Sequence, residues 1–170
     1  MRHSLFALFA LFATTARAQT QAGQGAYAAV AEVVRILETD STTDWSKVNL
    51  EALRQHLIDM NAVTLSSLVA QTSVAGGARF DVTGEGRTGA AIRRMLTAHA
   101  SVLDRLPAYR SQVEEIPGGV RLTVVARKAG DGSTEARIRG MGFIGLLTVD
   151  AHHTTHHLAL ARGHGMNHQH

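Results

Sequence analysis

The sequence predicts an α+β domain: two αββ units forming a four-stranded antiparallel sheet packed against helices, with an N-terminal helix and a long C-terminal one. Three observations predict it. Val74-Ala-Gly-Gly-Ala-Arg-Phe-Asp-Val-Thr83 matches Ile116-Pro-Gly-Gly-Val-Arg-Leu-Thr-Val-Val125 at a spacing of 42 residues. A stripe of apolar residues at helical period precedes each copy. A further helical pattern closes the chain. Helices on one face of a sheet are a compact way to bury all of these patterns.

Taken in order, the first eighteen residues read as a secretory signal peptide. Arg2 and His3 make a short basic start, Leu5 to Ala13 is apolar, and Ala16-Arg17-Ala18 supplies a small-residue cleavage signal. The apolar run is too short for a membrane span. No later stretch reaches about 18 uninterrupted apolar residues, so no span is expected in the mature chain. A helix is then predicted over 24–38. Leu50, Leu53, Leu57 and Met60 place a second helix after Asn49, a plausible N-cap.

The first hairpin is predicted as 66–74 with 78–84. Gly84-Glu-Gly-Arg-Thr-Gly89 lacks the Gly-Lys-Ser/Thr ending of a phosphate loop and reads as the lead into a helix, with Thr88 as its N-cap. Ile92, Met95, Leu96, Val102 and Leu103 define that helix. The second hairpin, 109–116 with 120–128, turns at Pro117-Gly118, where glycine supplies the positive φ of a type II turn. The αββ units thus span about 45–86 and 88–128 of a single domain, 19–163. Trp45 reads as an anchor packed on the sheet. The last helix is predicted to run unbroken over 134–162, in spite of Gly140, Gly142 and Gly145. The tail, 164–170, is rich in His and Met and predicted to be flexible.

Composition narrows the function. Basic residues number 17 against 14 acidic ones. Arg2 and Arg17 leave with the leader, so the mature chain carries about +1 and makes no electrostatic case for nucleic acid. With no cysteine, an exported chain has neither disulfides nor thiolate ligands. A periplasmic or secreted location is expected.

Histidine carries the chemical signal. Ten are present, four of them in Asp150-Ala-His-His-Thr-Thr-His-His157. His152/His156 and His153/His157 are four apart, one turn above each other on a helix and about 5–6 Å between Cβ atoms, close enough for two imidazoles to share one ion. On an unbroken helix, His152 and His156 continue the stripe of Ile138, Met141 and Val149 toward the core. His99 sits mid-stripe between Met95 and Leu103, and His56 lies 43 residues before it beside Asp59 and Met60. The bland account of His99 is a core histidine bonded to a carbonyl, and of His56 a surface histidine beside a carboxylate. Taken as a shared site, His99 ranks ahead of His56. Met60 and Met95 read as core filler.

The expected ligands are therefore His152, His153, His156 and His157, with His99 and His56. A transition metal ion is the expected partner, copper slightly favoured over zinc, nickel or iron, in metal handling or resistance. The alternatives are a metal-dependent enzyme with an open coordination position, for which Asp150 and Asp59 are the carboxylates to consider, and a non-covalent haem protein. A non-metal binding module, with the histidines incidental, is the remaining reading. A second subunit completing the coordination would make the protein a homo-oligomer.

Overall fold

The computed structural model describes residues 24–150 and 153–163. The leader, His152 and the 164–170 tail lie outside the described residues. Among those residues no helix is long and apolar enough to cross a membrane.

The elements alternate as anticipated: α1 (Gln24–Thr39), α2 (Leu50–Ser66), β1 (Leu68–Val74), β2 (Gly77–Thr83), α3 (Gly86–Arg105), β3 (Tyr109–Ile116), β4 (Gly119–Ala126), α4 (Gly132–Leu147) and α5 (His153–Ala161). The antiparallel sheet has the order β1-β2-β4-β3. Each hairpin therefore contributes its second strand to the centre and its first to an edge.

That arrangement explains the glycine pairs. The strands β2 and β4 pair with Phe80 opposite Leu122, Gly77 opposite Val125 and Thr83 opposite Gly119. Shifting β2 by 42 positions gives β4 and exchanges these pairs, so the centre of the sheet has a local pseudo-twofold axis. Gly76 and Gly118 hold φ of 78° and 77° at equivalent places in the two turns, a conformation that costs glycine nothing and other residues strain. Gly77 and Gly119, one residue on, press against the Val124 and Val82 carbonyl oxygens across the ladder. One glycine of each pair is needed for the turn, the other for close approach.

Alternation decides the buried face. Ala78, Phe80 and Val82 of β2 and Val120, Leu122 and Val124 of β4 are buried, while Asp81 and Arg121 point the other way. There Arg121 Nε and an NH₂ group donate to both Asp81 oxygens at 2.7 Å. Asp81 and Arg121 are direct cross-strand partners, and the guanidinium holds the Asp81 carboxyl below its usual range.

Helix α3 lies over β3 and β4, and α4 chiefly over β2 and β4, reaching β1 as well. Ile92, Leu96 and Leu103 of α3 and Ile138, Phe143 and Leu146 of α4 close the main core on the sheet. A second, smaller core joins Val33 and Leu37 of α1, Leu53 of α2 and Ala161 of α5. Helix α2 serves both cores, since its Val63 belongs to the first. Its N-cap is Asn49, whose side chain accepts from the Ala52 N–H at 2.9 Å.

Three expectations need correction. The helix predicted over 134–162 is two helices. Gly142 takes φ 61° and ψ −171°, a region open essentially to glycine alone, and the chain turns again at Asp150, φ 60°, before α5. The bend also frees the Arg139 carbonyl, which accepts from Gln71 Nε2 of β1 at 3.1 Å. Gly142→Ala is therefore expected to destabilise by about 1–3 kcal/mol, read by urea denaturation; an unchanged midpoint would refute the positive-φ requirement. Second, α3 starts two residues before Thr88 and is flanked by Glu85 with no side-chain cap bond. Third, Trp45 is 54% exposed rather than buried against the sheet; beside it Asp44 accepts from the Ser46 N–H and hydroxyl.

Candidate functional site

A cavity of about 270 Å³ opens where α2, α3, the end of α4 and α5 converge. Its two principal walls repeat one pattern. Helix α2 supplies His56, Met60 and Val63; α3 supplies Met95, His99 and Val102. Both sets run i, i+4, i+7, which puts the three side chains of each in one stripe. The second set is the first with His and Met exchanged. Ile144 and Leu147 close the far side, and His156 of α5 completes the lining.

The helices hold this geometry by specific contacts. Asp59 of α2 accepts from Arg87 Nε and from an Arg94 NH₂ group of α3, both at 2.7 Å. Arg87 also donates to the Gln55 carbonyl and side chain at 3.2 and 2.8 Å. These bonds flank the cavity between its two histidine-bearing helices. Asp59, a candidate for acid–base work on sequence grounds, is thereby engaged by two guanidinium groups and does not line the cavity.

His99 is 7% exposed, and its Nε2 lies 2.8 Å from the Leu146 carbonyl at the end of α4. A carbonyl only accepts, so Nε2 carries the proton, and in the neutral ring Nδ1 is the lone-pair nitrogen. Leu146 is among the last four α4 residues, and its carbonyl also accepts from the Val149 N–H at 3.2 Å. The imidazole thus caps α4, which is the bland account of a core histidine. It is also the arrangement typical of a metal-ligating histidine, which donates its other N–H to a carbonyl or carboxylate.

The C-terminal run reaches this region through α5. The ring of His56 meets His156 edge-on, with centroids 4.7 Å apart and planes at 77°, and meets His157 at 5.4 Å and 67°. His156 and His157 are 6.3 Å apart. His157 is the more deeply buried of the two, at 6% exposure. Helix α5 is fastened at its far end, where the Asn49 N–H donates to the Ala161 carbonyl at 2.7 Å and Arg162 donates to Asp40 at 2.6 Å. The Thr42 hydroxyl and N–H hold the Asp40 carboxyl below its usual range, with Arg162 adding to them.

No family model matches the chain, and neither the curated proteins nor the solved structures compared with it yield a match. The site must speak through its own chemistry.

Of the six histidines expected as ligands, His56, His99 and His156 line one cavity, and His157 packs against His56. His153 lies in α5, and His152 falls outside the described residues. An unbroken helical stripe was expected to turn His156 toward the core; His156 is instead half-buried and His157 the more buried of the two, and both meet His56 because a separate helix docks on α2. His56, ranked below His99, is in ring contact with His156 and His157 of the C-terminal run. Met60 and Met95, taken as filler, line the cavity. The signal for them was present as His-x-x-x-Met-x-x-Val and Met-x-x-x-His-x-x-Val, but only the pairing of α2 with α3 makes the two stripes face one space.

As the side chains stand, no three His, Asp or Glu residues among those described are arranged to hold a metal ion. The His56 ring meets those of His156 and His157 edge to face, and those two are tilted at 46° to each other.

Proposed function

We propose that the protein is an exported transition-metal-binding protein that takes its ion in this cavity, for metal handling or resistance, with copper ahead of zinc, nickel and iron. The carrying observation is that His56, His99 and His156, from three different helices, line a single apolar space. Imidazole suits these ions, and an apolar wall excludes competing water. Ring rotations at a binding site are common, and rotation about the side-chain torsions is what convergence on an ion requires here. The signal-like leader supports export.

The 270 Å³ cavity is roomier than a bare ion requires, which favours a second reading, a metal-dependent enzyme whose open position admits water or substrate. Azide binding to the metal-loaded protein would move the reading there. Haem fits less well: the volume lies just below the roughly 300–1,000 Å³ of drug-sized pockets, and a porphyrin would force the helices apart.

The test is elemental analysis and thermal unfolding of tag-free protein with Cu, Zn, Ni or Fe. An ion at about 100 times its Kd stabilises by about 2.7 kcal/mol, an upward shift on the order of 5–10 °C for a domain of this size. Groups that bind an ion equally in the folded and unfolded chain give no shift, so the shift reads only binding that depends on the fold. His56→Ala and His156→Ala are expected to abolish the shift. No shift with any of the four metals would end the metal reading; a shift that survives His56→Ala would move the site out of the cavity.

A further inference from the structure

Resting on the metal reading, we infer that the ion taken by the cavity is cuprous, and that the Met60 and Met95 thioethers bind it together with imidazole from His56, His99 or His156. The first ground is charge. Among the described residues no carboxylate lines the cavity, and the nearby Asp59 is already held by Arg87 and Arg94. Every described donor there is neutral when it binds a metal. The cost of placing an ion in an apolar surrounding grows as the square of its charge, so a dication costs about four times what a monocation of equal radius does. Without an anionic ligand to offset it, the singly charged ion is favoured.

The second ground is donor softness. Thioether sulfur is polarizable and selects Cu(I), whereas zinc, nickel and iron draw on imidazole, carboxylate or thiolate. Two thioethers on opposing helices, each one turn from a histidine, form a mixed sulfur–nitrogen set. Core packing alone accounts for one methionine beside a cavity; it gives no reason for two, each at four-residue spacing from a histidine in the same lining. Met141 is the internal contrast: it packs against the main core, as Met95 also does, but is not among the described residues that line the cavity.

The experiment is an anaerobic titration of the tag-free full-length protein with Cu(I) against a chromogenic Cu(I) chelator, beside a Zn(II) titration. The Met60→Leu/Met95→Leu double variant conserves volume closely enough to stay folded. It is expected to lose Cu(I) affinity by at least about 100-fold while Zn(II) affinity stays within about twofold, as selection by thioether softness requires. In the unsubstituted protein, one equivalent of Cu(I) should shift the ε-methyl NMR signals of Met60 and Met95 and leave Met141 in place. Cu(I) affinity equal in the double variant, or unmoved Met60 and Met95 methyls, would overturn the cuprous assignment while histidine-based binding of other metals stands. Binding of neither Cu(I) nor Zn(II) by the unsubstituted protein would bring down both readings together.

Discussion

Alanine at Gly119 is expected to cost about 3 kcal/mol of stability, the upper end for forcing a methyl group into a filled space. A Cβ there runs into the Val82 carbonyl oxygen, and Thr83 Cα lies 2.9 Å away. These are backbone atoms of a central strand, so they cannot swing aside as a side-chain tip would. Relief would require β2 and β4 to part, at the expense of the ladder that pairs Thr83 with Gly119. Gly77→Ala should cost about the same, because its Cβ meets the Val124 carbonyl oxygen and Val125 Cα at 2.8 Å. The control is Gly25→Ala in α1, where no atom of the described residues lies within 4 Å and alanine gains up to about 1 kcal/mol of helix propensity. Urea denaturation of the three variants checks this. A small loss at Gly77 with a large one at Gly119 would show that the two hairpins are not mechanically equivalent.

Phe80→Ala should be at least as severe, about 3–5 kcal/mol. Phe80 heads the fully buried side chains by volume and stands opposite Leu122 at the centre of the sheet. It packs in the core that joins the sheet to α3 and α4, and those backbones are fixed by strand pairing below them. The space left by the ring cannot be refilled by a small shift. Phe80→Leu should lose less than half as much, since most of the buried volume is kept. Chemical denaturation of both variants is the measurement; equal losses would mean that ring shape, not volume, governs the site. Because α3 carries Met95 and His99, metal affinity measured in Phe80→Ala should fall along with stability.

Much of the fold was legible locally. Each hairpin announces itself through alternation and its Gly-Gly pair, and each helix through its apolar period, because these patterns express the two-residue and 3.6-residue repeats of the backbone itself. The break in the last helix was not legible as a break. Gly142 is one of three glycines close together, and sequence alone does not reveal which one takes a conformation closed to other residues. The bend is tied to Gln71 of β1 bonding the Arg139 carbonyl, a contact 68 residues distant. The N-terminus of α3 was misplaced for a related reason: Thr88 has the right chemistry for a cap, but the Gly84 N–H bonds the Gly118 carbonyl at 3.0 Å, and the helix starts directly after that tether.

For the site, the sequence by itself determined the inventory: a histidine run with one-turn spacing, two more histidines on separate helices, no cysteine, and a methionine four residues from each of His56 and His99. Which of these share a space was decided by tertiary structure alone. Spacing along a helix settles only which side chains share a stripe, and a stripe has no partner until another helix packs on it. The docking of α5 on α2 brings His156 and His157 to His56, and the clasp of Asp59 with Arg87 and Arg94 sets the His-Met stripe of α2 against the Met-His stripe of α3. Those are long-range packing choices, made by whole buried faces.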